Sequence, residues 1–359
     1  METNDDLRKQ MDGMIASVPA MLSEEEAGAL KELLARVKNV VVCAHRAPDG
    51  DAVGSSLGWA AYLKQIGKRV RVIVPNPFPD FLKWMPQSHT IQFYEKHPLT
   101  SGEVIREADA VFCLDFSTEG RIGDMWKDVE GAKGEVVVID HHLDPDIRRA
   151  KIMVSRPGMS STCEMVLRTI IELGGYTQLE KSAAISLYAG MMTDTGGFTY
   201  NSSRPEIYQL IGLLLAKGID KDKIYRNVFN NYSVHRIKFI GYVLNEKLNF
   251  YEGNKASVFT ITREEMKRFQ FVRGDAEGLV NMPLQVKGMR LSISLREDTE
   301  KDVVRVSLRS VDDLPCNEMA ERFFNGGGHR NASGGELPFP MEDAVRTAER
   351  AIAAYADWL

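Results

Sequence analysis

Apolar residues recur along this chain in two spacings, and the spacing changes where the architecture is expected to change. Val40-Val41-Val42-Cys43, Val111-Phe112-Cys113-Leu114 and Val136-Val137-Val138-Ile139 are short, nearly unbroken apolar runs. Runs of this kind predict strands buried on both faces, as in a parallel sheet covered by helices. Strands are expected at 39–44, 69–74, 110–114 and 135–139. Helical spacing predicts helices over 52–66, 161–173, 181–192 and 205–217, with Gly67 ending the first and Pro205 suited to a first turn. Ahead of the first strand, Ala27, Leu30, Leu33 and Leu34 predict a helix over 23–37, and Ser23 with Glu26 gives it a capping-box signature. Past residue 225 the pattern shifts. Ile237, Ile240, Val243, Leu244 and Leu248 predict a connecting helix. Leu291, Ile293 and Leu295 then alternate with Ser292 and Ser294, the period of a sheet with one solvated face. Further strands at 256–261 and 303–308 and a helix at 342–354 complete the second region.

The fold class is therefore α/β: a parallel sheet with helices on both faces, a helical connector and a smaller α+β domain. The divisions fall at 1–37 for an N-terminal helical extension, 38–225 for the first domain, 226–250 for the connector and 251–359 for the second domain. A chain of 359 residues agrees with two domains. Cys43, Cys113, Cys163 and Cys316 are scattered without a C-x-x-C pair, so buried thiols in a reducing compartment are expected. The acidic start lacks the features of a signal peptide and no apolar run is long enough for a bilayer, which points to a cytoplasmic location without membrane contact. A net charge of -5 argues against sequence-independent binding of long or duplex nucleic acid. It leaves room for a short anionic substrate held by a few arginines and metals.

The chemistry gathers where strands open into loops. Asp140-His141-His142 follows the run ending at Ile139, His45 follows the first strand with Asp49 and Asp51 close behind, Asp115 ends the strand at 110–114, and Asp194 ends a helix. In a parallel sheet, ligands collect beyond the carboxyl ends of the strands, so these groups should converge. Taken singly, each has a plainer reading: Asp49-Gly50-Asp51 as a turn or helix cap, Asp115 as a cap, His45 as a satisfied histidine at a strand end. Taken together, they describe a cage for two divalent ions, and hence phosphate-ester hydrolysis. Oxygen-rich ligation with a few imidazoles suits Mn2+, with Mg2+ or Co2+ as substitutes. His89, His97 and His235 have no acidic company and are expected at the surface or in packing.

A second element lies near the end. Asn325-Gly326-Gly327-Gly328-His329-Arg330-Asn331-Ala332-Ser333-Gly334-Gly335 reads as a glycine-rich loop whose amides can approach a phosphate. His329, Arg330, Asn331 and Ser333 add polar groups, and Arg309-Ser310 offers a two-pronged phosphate clamp.

Residues 42–55, Leu114-Asp115, Ile139 to His142, Thr193 to Gly196 and Gly326 to Gly335 together resemble, in order and over nearly the whole chain after the extension, the DHH/DHHA1 phosphoesterase family. The likeness is greatest to its compact bacterial oligoribonuclease branch, which also acts on 3′-phosphoadenosine 5′-phosphate. The resemblance implies a catalytic DHH domain facing a substrate-holding DHHA1 domain. It implies His45, Asp49 and Asp115 on one manganese, and Asp51, Asp115, His141 and Asp194 on the other. Asp140 would orient its neighbours, and His142 would face the scissile phosphate as stabiliser or proton donor. Arg309, Ser310, Gly327, Gly328, His329, Arg330, Asn331 and Ser333 would hold the far phosphate and sugar. Arg330 stands where relatives often have lysine.

The expected substrates are short RNA oligonucleotides and 3′-phosphoadenosine 5′-phosphate, with linear dinucleotides such as pApA as the alternative. Pyrophosphate or polyphosphate ranks lower, because relatives that hydrolyse pyrophosphate lack the Gly-His-Asn element. Oligomeric state stays open, a homodimer included.

Overall fold

The computed structural model describes residues 4–253, 255–272 and 274–359. The first three residues of the expected extension, and Asn254 and Arg273 of the expected second domain, lie outside the described residues. The chain divides into two compact units, Met1–Asn231 and Tyr232–Leu359. No helix among the described residues is long and apolar enough to cross a membrane.

The first unit opens with α1 (Asn4–Ser17) and α2 (Glu24–Arg36), and the capping box of Ser23 and Glu26 is formed at the start of α2. Glu172 accepts the backbone N–H groups of Met21 and Leu22 at 2.8 and 2.9 Å, which ties this segment to the domain behind it. Six strands follow: β1 (Asn39–Cys43), β2 (Arg69–Val74), β3 (Gln92–Phe93), β4 (Ala110–Leu114), β5 (Glu135–Asp140) and β6 (Ala150–Ser155). They form one sheet in the order β3-β2-β1-β4-β5-β6, parallel throughout. Val40 and Val42 of β1 join one apolar cluster while Val41 and Cys43 join another, so both faces are dry, as the unbroken runs predict. The two strands absent from the sequence expectation are the edges. β3 is two residues long, and β6 mixes exposed Lys151 with buried Ile152 and Val154, which hides it from a search for continuous apolar runs.

The helices of this unit are α3 (Gly50–Gln65), α4 (Pro98–Arg106), α5 (Trp126–Glu130), α6 (Thr162–Glu172), α7 (Lys181–Asp194), α8 (Pro205–Ala216) and α9 (Lys221–Phe229). α3 and α7 touch almost backbone to backbone. A Cβ on Gly54 would lie 2.6 Å from the Ser186 carbonyl oxygen, and one on Gly58 would lie 2.5 Å from Leu187 Cδ2. The glycine face therefore lets α7 settle until Thr193, next to Asp194, lies against Gly50, next to Asp51.

The second unit contains α10 (Val234–Tyr242), β7 (Asn249–Tyr251), β8 (Ala256–Ile261), α11 (Arg263–Arg268), β9 (Leu291–Glu297), β10 (Val303–Ser310), α12 (Cys316–Phe323), β11 (Gly327–His329), β12 (Ala332–Pro338) and α13 (Met341–Ala354). Its sheet runs β11-β12-β10-β9-β8-β7, with only the β8–β9 pair parallel. Two expectations are corrected here. Ser292 and Ser294 do not face water: Phe259 sits beside Ser294 in register, and an apolar cluster of Phe239, Val243, Phe259, Ile261, Met266, Leu279 and Val280 covers that side. Alternation of serine with leucine marks two faces but does not say that the polar one is wet. The glycine-rich stretch is also not a loop. Gly327, Gly328 and His329 pair antiparallel with Gly334, Ser333 and Ala332, and Arg330-Asn331 makes the turn. Gly328 has φ +142°, and a Cβ there would lie 2.7 Å from the Ala332 carbonyl oxygen. Side-chain pattern is silent about such a hairpin because most of its residues have almost no side chain.

Candidate metal centre

Beyond the carboxyl ends of β1, β4 and β5, six sequence-expected ligands meet. His45 is buried just past β1, and its Nδ1 pairs with the Arg46 carbonyl oxygen at 2.8 Å. Its Nε2 lies 3.4 Å from Asp115 Oδ2 and 3.8 Å from Asp49 Oδ2. Asp49 has two roles. Its Oδ1 accepts the Asp51 and Ala52 N–H groups, both at 3.0 Å, and so caps α3, while Oδ2 looks toward His45. Asp115 sits at φ +66°, a left-handed conformation that aspartate tolerates better than most residues. Its Oδ2 faces His45, and its Oδ1 lies 3.7 Å from His141 Nε2. That nitrogen is also 3.5 Å from Asp194 Oδ2 and 3.9 Å from Asp51 Oδ2. Two groups result, His45–Asp49–Asp115 and Asp51–His141–Asp194, with Asp115 turned toward both.

The start of α6 holds this cage, a contribution the sequence reading missed. Asp51 accepts the N–H groups of Thr162 at 2.6 Å and Cys163 at 2.9 Å, and Thr162 Oγ1 donates to Asp115 Oδ1 at 2.9 Å. Ser161 caps the helix. Behind it, fully buried Glu164 accepts the N–H and hydroxyl of Ser160 and takes ion pairs from Arg168 at 2.9 Å and Arg204 at 2.7 Å. Ser161 and Glu164 repeat the S-x-x-E spacing of residues 23–26, which is the signal that marks this turn in the sequence.

Crowding perturbs the electrostatics of these groups. Burial, then the charges of Asp115, Asp194 and Asp49, pushes Asp51 well above the usual carboxylate range. Burial likewise raises Asp194 to about 7, with His141 partly opposing and Asp49 and Asp115 adding. Burial would raise Asp115 too, but His45, His142 and His141 outweigh it and hold that carboxyl well below its ordinary value. Burial disfavours the charged form of His45, yet Asp115 and Asp49 lift it to about 10. Carboxylates this close and this buried need positive charge between them. Nitrogen and oxygen atoms 3.4–3.9 Å apart are also near the spacing of neighbouring donors on one ion at about 2.1 Å. The clustered aspartates and histidines, buried except for exposed Asp49 and half-buried Asp194, thus suit divalent metal.

His142 stands beside this set. Its Nδ1 lies 2.7 Å from Oδ1 of fully buried Asp140, and its backbone N–H donates to Asp140 Oδ2 at 3.1 Å. Burial opposes protonation of His142, but Asp140 and Asp115 raise its pKa on balance, with Arg121 pulling the other way.

In the second unit, Arg309 donates through Nη1 to the Leu308 carbonyl oxygen at 2.8 Å. Asn331 Nδ2 reaches Ser310 Oγ at 2.9 Å and the Asp312 and Leu314 carbonyl oxygens. Arg330 donates to the Asp313 carbonyl oxygen at 2.8 Å and Ser333 to that of His329 at 2.8 Å. Gly327, Gly328 and His329 form β11 alongside them. His89, His97 and His235 are exposed, and all four cysteines are buried and free.

Comparison with known proteins follows the same division. Residues 39–191 match the DHH family, N-terminal domain, and residues 248–357 match the DHHA1 domain. The bifunctional oligoribonuclease and PAP phosphatase NrnA of Thermus thermophilus is 27% identical over 315 residues, covering 87% of this chain and 89% of that one. The crystal structure of an exopolyphosphatase-related protein from Bacteroides fragilis superposes with a TM-score of 0.90 at 46% identity, over 94% of this chain and 98% of that one. RecJ of Thermus thermophilus, solved with Mn2+, shares the fold at 13% identity and a TM-score of 0.55, over 96% of this chain and 56% of that one.

Proposed function

This chain belongs to the DHH/DHHA1 phosphoesterases, metal-dependent hydrolases of phosphate esters, and from that premise we propose that it is a manganese-dependent phosphodiesterase that cuts short RNA oligonucleotides to nucleoside monophosphates. Removal of the 3′-phosphate from 3′-phosphoadenosine 5′-phosphate is its second activity. The observation that carries this reading is the pair of ligand groups that share Asp115, complete at His45, Asp49, Asp51, His141 and Asp194. Two manganese ions, when bound there, supply an acidified water and the charge that offsets negative charge growing on the phosphoryl oxygens. His45, Asp49 and Asp115 would hold one ion, and Asp51, Asp115, His141 and Asp194 the other.

The chain's own residues do the remaining work. Asp140 accepts from His142 Nδ1 and fixes the ring, so the proton to be transferred is the one at Nε2. Against the cost of burial, Asp140 and Asp115 raise the His142 pKa and so favour its protonated form. The family's DHHA1 partner role falls to Arg309, Ser310, Gly327, Gly328, His329, Arg330, Asn331 and Ser333, which would receive a terminal phosphate and its sugar. The NrnA relative, named for oligoribonuclease and PAP phosphatase activity, supports this choice of substrate. The same machinery suits linear dinucleotides such as pApA. The Bacteroides fragilis structure, named as exopolyphosphatase-related, favours a second reading in which polyphosphate is the substrate.

A turnover panel with manganese separates these readings: pApA, an RNA pentamer, 3′-phosphoadenosine 5′-phosphate, pyrophosphate and polyphosphate offered side by side. Mononucleotides released from pApA and the pentamer are expected. Phosphate released from polyphosphate alone would overturn the reading.

A further inference from the structure

Between α1 and α2 the chain passes through residues 18–23 without regular structure, so its backbone groups must find partners elsewhere. They find them on the domain behind. Arg168 Nη1 donates to the Pro19 carbonyl oxygen at 3.0 Å. Arg156 donates to the Met21 carbonyl oxygen through Nε at 3.3 Å and Nη2 at 3.1 Å, and its Nη2 also pairs with Glu26. Glu172 takes the N–H groups of Met21 and Leu22, and both of those side chains are buried. The match to the DHH family begins at residue 39, so none of this segment belongs to it.

Arg156 and Arg168 stand on either side of the turn that steadies the cage. Arg156 comes directly after β6, and its N–H donates to the Asp140 carbonyl oxygen at 3.0 Å. Three residues on, the Met159 carbonyl oxygen lies 3.2 Å from His141 Nδ1, which leaves Nε2 of that ring facing Asp51, Asp115 and Asp194. Thr162 and Cys163 then give their N–H groups to Asp51, and the Thr162 hydroxyl goes to Asp115. One helical turn beyond Glu164, buried Arg168 holds that carboxylate with Nε while Nη1 holds Pro19, and Glu164 in turn accepts the N–H and hydroxyl of Ser160. Residues 156–163 thus reach Asp51, Asp115 and His141, and the segment 19–26 is bonded on both sides of that run. His45 and Asp49 take their anchors elsewhere, from the Arg46 carbonyl and from the first amides of α3.

We infer that residues 19–26 are a clasp that positions the turn 156–163, and through it the ligand group Asp51–His141–Asp194 in preference to His45–Asp49–Asp115. Arg156, Arg168 and Glu172 are then positioning residues for a metal they do not touch. The inference rests on the two-ion reading above. Groups that orient metal ligands from behind govern affinity because a ligand free to rotate must be ordered again at each binding event. Opening the clasp frees the Met159 carbonyl and the amides of Thr162 and Cys163 to drift, and so loosens His141 and Asp51.

The test uses the full chain carrying R156M, E172A or both, with R156K as the conservative control. Manganese binding is followed by paramagnetic resonance of the free ion, and amide exchange by mass spectrometry on the metal-free protein. The native protein should bind two ions. R156M/E172A should weaken one of them about fivefold, the worth of one net hydrogen bond, and leave the other unchanged. R156K should stay close to native, because an ammonium still reaches the Met21 carbonyl and Glu26. Exchange over residues 159–164 should quicken in the double variant while β4 and β5 keep their native rates. Each single variant should show a share of both effects, and these serve if the double one does not fold. Equal weakening of both ions with faster exchange throughout the unit would mark a general loss of stability and overturn the clasp, as would unchanged affinity for both. Native protein that binds fewer than two ions overturns the two-ion reading instead, and the exchange rates over residues 159–164 then decide the clasp on their own.

Discussion

The metal cage and the glycine hairpin both gather polar groups at one end of a sheet, yet they do it in opposite ways. In the cage, several ligands have one atom anchored and another turned inward. His45 fixes Nδ1 on a carbonyl and presents Nε2, Asp49 caps a helix with Oδ1 and presents Oδ2, and Asp115 takes a hydroxyl on Oδ1 while Oδ2 faces His45. In the hairpin, Asn331, Arg330 and Ser333 turn their donors to nearby backbone carbonyls, and Asn331 also to Ser310. The cage crowds carboxylates around histidines, an arrangement that suits a small, highly charged ion. The hairpin spends these donors internally, with close backbone between its strands and Arg309 on the neighbouring strand. On the reading proposed above, chemistry and selection would be built from different materials in the two units.

The sharpest way to break that contrast is to remove the shared carboxylate. Asp115→Ala should lower kcat on pApA by roughly a thousand-fold or more, because both proposed ions would lose a ligand, while circular dichroism stays native. Near-native kcat would mean that the two ligand groups do not work as one site. Next comes the support beneath the cage. Glu164→Gln leaves Arg168 buried with weakened compensation and should cost about 3 kcal/mol of stability, read from urea unfolding. Burial would raise the Glu164 pKa, but Ser160, Arg204 and Arg168 hold it below its ordinary 4.5. Its contribution is therefore present above that range and lost as pH falls through the depressed value, so the native melting temperature should drop on acidification more than the variant's. A gentler change is Thr162→Val, which removes the hydroxyl on Asp115. Manganese affinity should fall about tenfold, measured by equilibrium dialysis, with little change in melting temperature. The smallest effect tests the other unit. Arg309→Ala should raise KM about tenfold for substrates with a terminal phosphate and leave manganese affinity alone. A loss of manganese binding in that variant would erase the division of labour.

Much of the first unit was legible because its signals are strong and redundant. Unbroken valine runs can hardly be anything but doubly buried strands, and topology then carries His45, Asp115 and Asp140 to one edge without knowledge of any contact. What stayed hidden has physical reasons. β6 is an edge strand with exposed Lys151, and β3 is too short to have a period. The buttress at Ser161, Thr162 and Glu164 acts largely through backbone amides and a buried ion network, which composition does not mark. In the second unit, Ser292 and Ser294 gave the right period and the wrong environment, since what covers a face comes from elsewhere in the chain. Gly327 and Gly328 read as a loop because glycine carries no pattern to betray a strand.

Asp49 opens a helix with one oxygen and looks into the cage with the other. An ion that grips it also grips the first turn of α3, whose flank is already wedged against α7. Metal loading should therefore be felt as mechanical tightening of the first turn of α3, and deuterium uptake at the amides of Asp51 and Ala52 would slow as the protein fills.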